Sequence, residues 1–187
     1  MLPTAIVLHG TTSSGKSSLA KALQDNADVP TFHVSLDAFV EMSRRRDMRS
    51  VDELNHALEI HHQNLQAVLG RVAESHFDIV LDLVLRDENA FQECLNALAS
   101  RPTFVIGVKC PLDVLEAREQ SRDDRAVGMA KSQFGHPAYD RAYHLTVDTS
   151  KMTPQEGAQM IRDFVGQLLA RSRTETSEFF PIPGAKR

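Results

Sequence analysis

An apolar run, Ala5–His9 (AIVLH), leads directly into Gly10–Ser17, which reads GTTSSGKS and fits the phosphate-binding pattern G-x-x-x-x-G-K-[ST]. This pattern constrains the fold tightly because it works at only one kind of junction. A strand must deliver the chain into a loop whose backbone N–H groups converge on phosphate oxygens. A helix must follow, so that its positive dipole end faces the same anion. Leu19, Ala22 and Leu23, which recur on one face, meet the second demand. The spacing therefore predicts a strand–loop–helix unit that handles ATP or GTP. Gly10, Thr11, Thr12, Ser13, Ser14, Gly15, Lys16, Ser17 and Ser18 would surround the nucleotide. Lys16 would reach the β- and γ-phosphates, and the Ser17 hydroxyl would bind Mg²⁺. A Ser/Gly-rich turn with a surface lysine is the competing reading of the same string.

Short apolar runs then alternate with longer helical patterns, which marks a parallel sheet with helices on both faces. Candidate strands are Ala5–His9, Thr31–Leu36, Asp78–Val84, Thr103–Lys109 and His144–Val147. Ser50 opens an S-x-x-E capping box closed by Glu53, and the helix behind it carries Leu54, Leu58, His61, Leu65, Val68 and Val72 at four- and three-residue steps. Thr153 and Glu156 repeat the device with Pro154 at the first helical position, opening a last helix that runs to about Ala170. The 187 residues fit one domain, 1–170, followed by a loose tail, 171–187, that is polar apart from FFPIP.

Composition narrows the partners. Net charge is −4 and the isoelectric point lies near 6.0, so neither nucleic acid nor an anionic membrane is expected to attract the chain. The two cysteines, Cys94 and Cys110, fall in a helical and a strand pattern and read as buried thiols rather than a disulfide. With no signal-type leader and no apolar stretch of membrane length, the expectation is a soluble cytoplasmic protein.

Open α/β sheets bind ligands beyond the carboxyl ends of their strands, and polar residues there carry the chemistry. Asp37, closing the second predicted strand, is placed either to take a proton from a substrate hydroxyl or to cap the following helical turn. Asp82 interrupts the apolar run IVLDLVL, where a carboxylate needs compensation. Mg²⁺ or its water shell would supply it in a Walker-B-like role, and a structural hydrogen bond would be the alternative. Within EAREQSRDDR, Arg118, Arg122 and Arg125 follow a four-then-three spacing that aligns them on a continuous helix. Such a stripe serves as a lid over phosphates or, with Glu119, Asp123 and Asp124 interleaved, as a solvated face.

GTTSSGKSS, LDAF, GVKCPLDVLEAREQSRDDRAVGMAKSQ and YHLTVDTSKMTPQE together resemble the chloramphenicol phosphotransferase-like family of P-loop kinases, in register from about Ala5 to Ala170. The stretch from Gly107 to Gln133 is the most specific part. The resemblance implies an adenylate-kinase-like P-loop NTPase fold of α/β class, with a five-stranded parallel sheet in the order 2-3-1-4-5. It implies ATP and Mg²⁺ as cosubstrates and transfer of the γ-phosphate to a hydroxyl of a small molecule. It places the catalytic base at Asp37 and a lid at about 116–130, whose Arg118, Arg122 and Arg125 join Lys16 on the phosphates. It puts the adenine by Thr149 in the VDTS loop and the acceptor under 38–60.

Departures from the family pattern matter too. Leu83 stands where members often carry a second aspartate after the one matching Asp82. SRRRDMRS (43–50) is more basic than its counterpart, which suits an acceptor bearing phosphate or carboxylate, or simply a solvated loop. His61 faces the core side of its helix by spacing and His62 lies beside it; a core or cleft-edge place suits them better than catalysis. Three functions follow: a phosphotransferase for small hydroxylated molecules, antibiotics among them; a metabolic kinase for a nucleoside, nucleotide or sugar-like acceptor; and a nucleotide-dependent switch.

Overall fold

The structure, a computed structural model, describes residues 3–44, 47–121 and 128–174. Five parallel strands form its centre: β1 (Ala5–His9), β2 (Thr31–Ser35), β3 (Asp78–Leu83), β4 (Thr103–Lys109) and β5 (Leu145–Asp148). Their order is β2-β3-β1-β4-β5, so β1 lies between β3 and β4 with Leu8 opposite both Asp82 and Ile106. The helices are α1 (Lys16–Asp25), α2 (Leu36–Val40), α3 (Val51–Ala73), α4 (Glu88–Ala97), α5 (Leu112–Gln120), α6 (Met129–Gln133) and α7 (Pro154–Thr174).

The central strands are apolar on both faces because both faces are covered. On one, Val7, Leu81 and Val105 meet Leu65, Leu69, Phe91 and Leu95 of α3 and α4. On the other, Leu8, Ile106 and Val147 meet Leu19, Leu23, Ala158 and Ile161 of α1 and α7. Strand ends differ from the sequence reading by one residue at most, and the last helix runs on to Thr174, taking 171–174 out of the expected tail. Along α3 the buried set is His61, Leu65, Leu69 and Ala73, whereas Val68 is 37% exposed. Repeated four-residue steps wind the stripe slowly around the helix, so Leu69 replaces Val68 against the sheet. Both cysteines are buried and free. Among the described residues, no helix is long and apolar enough to cross a membrane.

His9, the last residue of β1, is fully buried and held from both sides. Its Nε2 donates to the Leu85 carbonyl at 2.7 Å, and its Nδ1 accepts from the Tyr143 hydroxyl at 2.9 Å. Burial pushes its pKa down to about 4, assisted by the Arg141 and Lys16 cations, while the Leu85 carbonyl and Glu88 act the other way. The unfolded chain therefore binds a proton near its ordinary 6.5 that the fold refuses until about 4. His9 contributes stability above pH 6.5, and that contribution, roughly 3 kcal/mol, is lost as pH falls towards 4. Denaturant unfolding followed across this window should show the decline, and a His9→Gln variant should flatten it.

Candidate active site

The loop between β1 and α1 closes around its own lysine. Lys16 is 5% exposed, and its Nζ donates to the Thr11 carbonyl at 2.8 Å. Two glycines allow the loop its path: a Cβ on Gly10 would sit 2.2 Å from the Val108 carbonyl oxygen, and Gly15 has φ of +90°. Ser13 adopts φ of 58° without a glycine's freedom, a strained conformation of the kind that gathers at ligand sites.

A cavity of about 270 Å³ opens beyond the second half of this loop. Lys16, Ser17 and Ser18 form one wall, Arg118 and Thr149 another, and Asp37 also lines it. Asp37 does not close β2, however. It lies in the first turn of α2, whose N-cap residue is Ser35, so the capping alternative for Asp37 falls away. The chain turns helical one residue earlier than the alternation suggested, and this places Asp37 in the wall of the cavity shared with Lys16.

Ser17 Oγ donates to Asp82 Oδ2 at 2.7 Å. His33 Nε2 stands 3.8 Å from the same oxygen, an ion-pair distance too long for a hydrogen bond. Burial alone would raise the Asp82 carboxyl, but His33, Lys16 and Ser17 outweigh it and hold the group below the ordinary carboxylate range. Among the described residues, no cluster of three or more His, Cys, Asp or Glu side chains could hold a metal unaided. The Ser17 hydroxyl and Asp82 carboxylate nevertheless form the hard-oxygen pair suited to a Mg²⁺ ion that arrives on a nucleotide.

Arg118 is tied down at the opposite wall. Its Nη1 and Nη2 donate to Thr149 Oγ1 and to the Thr149 carbonyl, both at 2.9 Å. Thr149 Oγ1 in turn donates to the Ser14 carbonyl at 2.7 Å, joining α5, the turn after β5 and the phosphate loop. α5 ends at Gln120 with Ser121 as its C-cap, so of the three arginines only Arg118 falls within the described residues. Arg122 and Arg125 lie outside the described residues. So do Arg45 and Arg46, while Arg44 is exposed. His61 is 5% exposed and shares a 2.8 Å hydrogen bond with Ser43 Oγ, a structural link between α3 and the segment after α2.

Two residues escaped the sequence reading. Glu119, read as part of a solvated face, is 1% exposed, and its carboxylate accepts from the Gly128 and Ala130 amides at 2.7 and 2.8 Å. It pins the start of α6 to the end of α5. Gln133, at the end of α6, accepts from the Thr12 amide at 2.7 Å, so one loop N–H expected to face phosphate is already engaged. Glu119→Gln would set an NH₂ group against one of these two amides, the Ala130 amide being buried and the Gly128 amide partly so. The expected cost is about 1–3 kcal/mol, seen as a Tm several degrees lower. An unchanged Tm would show that the clamp contributes nothing.

The model of the family described as chloramphenicol phosphotransferase-like protein matches residues 4–166. The chain belongs to the chloramphenicol phosphotransferase-like family. Among solved structures, a candidate kinase from Chloroflexus aurantiacus J-10-fl superposes with a TM-score of 0.69 at 21% identity, covering 89% of this chain and 97% of that one. The Mycobacterium tuberculosis APS kinase, in complex with AMPPNP and APS, gives 0.66 at 15%, covering 88% and 98%. The Deinococcus radiodurans tunicamycin resistance protein gives 0.61 at 18%, covering 88% and 96%. No curated protein matches significantly. The fold is that of P-loop kinases, and family membership makes the chain a P-loop phosphotransferase of kinase type.

Proposed function

We propose that this family member is an ATP-dependent O-phosphotransferase whose acceptor is a hydroxyl of a small molecule. The observation that carries the reading is the single cavity lined by Lys16, Ser17 and Asp37, which brings a phosphate-binding cation and a candidate base together. The bond from the γ-phosphorus to the bridging oxygen of ADP breaks, and a bond to the acceptor oxygen forms. Asp37 takes the acceptor's proton, and the Lys16 ammonium steadies charge on the phosphate oxygens. Ser17 and Asp82 would hold Mg²⁺, which when bound neutralises phosphate charge. Thr149, braced by Arg118, would border the adenine. Arg122 and Arg125, in the connection between α5 and α6, would bring guanidiniums to the transferring group.

A switch that only hydrolyses nucleotide must orient water and has no use for a base beside an acceptor. A screen of candidate hydroxyl compounds, chloramphenicol, tunicamycin and sugar-like metabolites among them, tests the reading. The phosphorylated acceptor should be detected as well as ADP. Nucleotide turnover with no phosphorylated product from any acceptor would favour the switch. Antibiotic modification is one outcome of that screen and a metabolic acceptor the other. Arg44 and Arg49, the described members of the basic segment, are exposed and do not line the cavity that holds Lys16 and Asp37.

A further inference from the structure

One peptide group of the phosphate loop is held from both sides. The group joining Thr11 to Thr12 accepts the Lys16 ammonium on its carbonyl oxygen at 2.8 Å and donates its N–H to Gln133 Oε1 at 2.7 Å. Because a trans peptide is planar, its C=O and N–H point in opposite directions and can only turn together. Gln133 therefore fixes the direction in which the Thr11 carbonyl faces Lys16. The Ser14 amide also reaches this carbonyl, but at 3.4 Å, beyond the usual range of a strong bond.

Gln133 is itself well anchored. It is 7% exposed and closes α6, whose first residues are pinned to α5 by Glu119. On the other side of Ser13, the Ser14 carbonyl accepts from Thr149 Oγ1, and Thr149 is gripped by Arg118 of α5. The α5–α6 unit thus reaches the loop by two routes that bracket Ser13. A positive φ persists at a non-glycine residue only where the surroundings over-determine it, and the two clamps supply that here. Bonds in series also polarise one another, so an N–H given to Gln133 makes the attached carbonyl a better acceptor for the ammonium.

We propose that Gln133 is a positioning residue for Lys16, acting through the Thr11–Thr12 peptide plane, so that the α5–α6 unit sets where the phosphate-binding cation stands. Its consequence for rate rests on the phosphotransferase reading above, whereas its hold on Lys16 is visible in the nucleotide-free chain. Without the Gln133 oxygen the plane turns to satisfy its N–H elsewhere, and the carbonyl turns away from the ammonium. A group misplaced by about 1 Å can cost ~10²-fold in rate.

Two variants separate this role from plain packing. Gln133→Met keeps length and apolar volume but offers no oxygen, and Gln133→Glu keeps an acceptor at the same reach. In the nucleotide-free full chain, brief acylation with acetic anhydride, read by mass spectrometry, should label Lys16 ~10-fold faster in Gln133→Met, and the Thr12 amide should exchange faster by a similar factor. Both should stay at the parent value in Gln133→Glu. With ATP and an acceptor, kcat should fall by ~10- to 10²-fold in Gln133→Met while ATP affinity stays within ~3-fold. Gln133→Glu should recover kcat to within ~3-fold, with weaker ATP binding because a carboxylate then borders the phosphates. Parent-like Lys16 labelling or parent-like kcat in Gln133→Met overturns the proposal. So does faster exchange spread across β1 and β4, the mark of general loosening rather than of one released peptide. If Gln133→Met fails to fold, Gln133→Glu decides: Lys16 kept at the parent labelling rate supports the role, and Lys16 released despite the acceptor overturns it. A parent that phosphorylates no compound sinks the phosphotransferase reading, and Lys16 labelling with Thr12 exchange still decides the positioning.

Discussion

Replacing Lys16 with alanine should lower phosphoryl transfer by ~10² to 10³ or more, the scale on which a pre-positioned electrostatic donor acts in a site that excludes water. Lys16 is nearly buried, and its ammonium rests on the Thr11 carbonyl beside the cavity. It is therefore already ordered where phosphate charge will develop and need not be recruited from solvent. The fold should survive, because the two apolar layers flanking the sheet do not depend on this side chain. The check is a rate measured beside a Tm. A correctly folded Lys16→Ala enzyme that transfers phosphate at near-parent rate would remove the loop from the mechanism.

The architecture was legible because hydrophobic periodicity is a local property. The strands AIVLH and TFVIGVK stand where the pattern puts them, and of the two capping boxes the second forms in full, while in the first the Glu53 carboxylate accepts from the Arg49 amide in place of the Ser50 amide. Ser50 Oγ accepts the Glu53 amide at 3.1 Å, and the Thr153 and Glu156 side chains each accept the other's backbone amide. The sheet order came from resemblance, since nothing in single-strand patterns says which strands become neighbours. Where the reading slipped, a tertiary contact decides. Asp37 left the strand because the chain turns helical at Leu36. Glu119 looks like a surface charge in EAREQ until the chain returns from Gly128 to cover it. Gln133 gives no local sign that its amide oxygen reaches the Thr12 N–H, 121 positions away.

Asp37→Asn should leave nucleotide binding near the parent value and reduce transfer to the acceptor by ~10² to 10⁴. Asparagine keeps the shape and most of the hydrogen-bonding capacity of the side chain but cannot take the proton that the acceptor hydroxyl must lose. The competing explanation for any loss is structural, and magnitudes separate the two. Asp37 lies in the first turn of α2, where a negative charge favours the helix by about 0.3–1 kcal/mol at an exposed site. Losing that interaction would lower Tm slightly and would alter the rate constant little. A loss of a hundredfold corresponds to about 2.7 kcal/mol of barrier, well beyond what a weakened helix turn supplies. The measurement is therefore a triplet on one variant: nucleotide affinity, Tm and acceptor phosphorylation. Retained affinity and Tm with collapsed transfer assign the base to Asp37. Retention of all three would mean that the acceptor hydroxyl loses its proton elsewhere, leaving Lys16 and acceptor positioning to supply the rate.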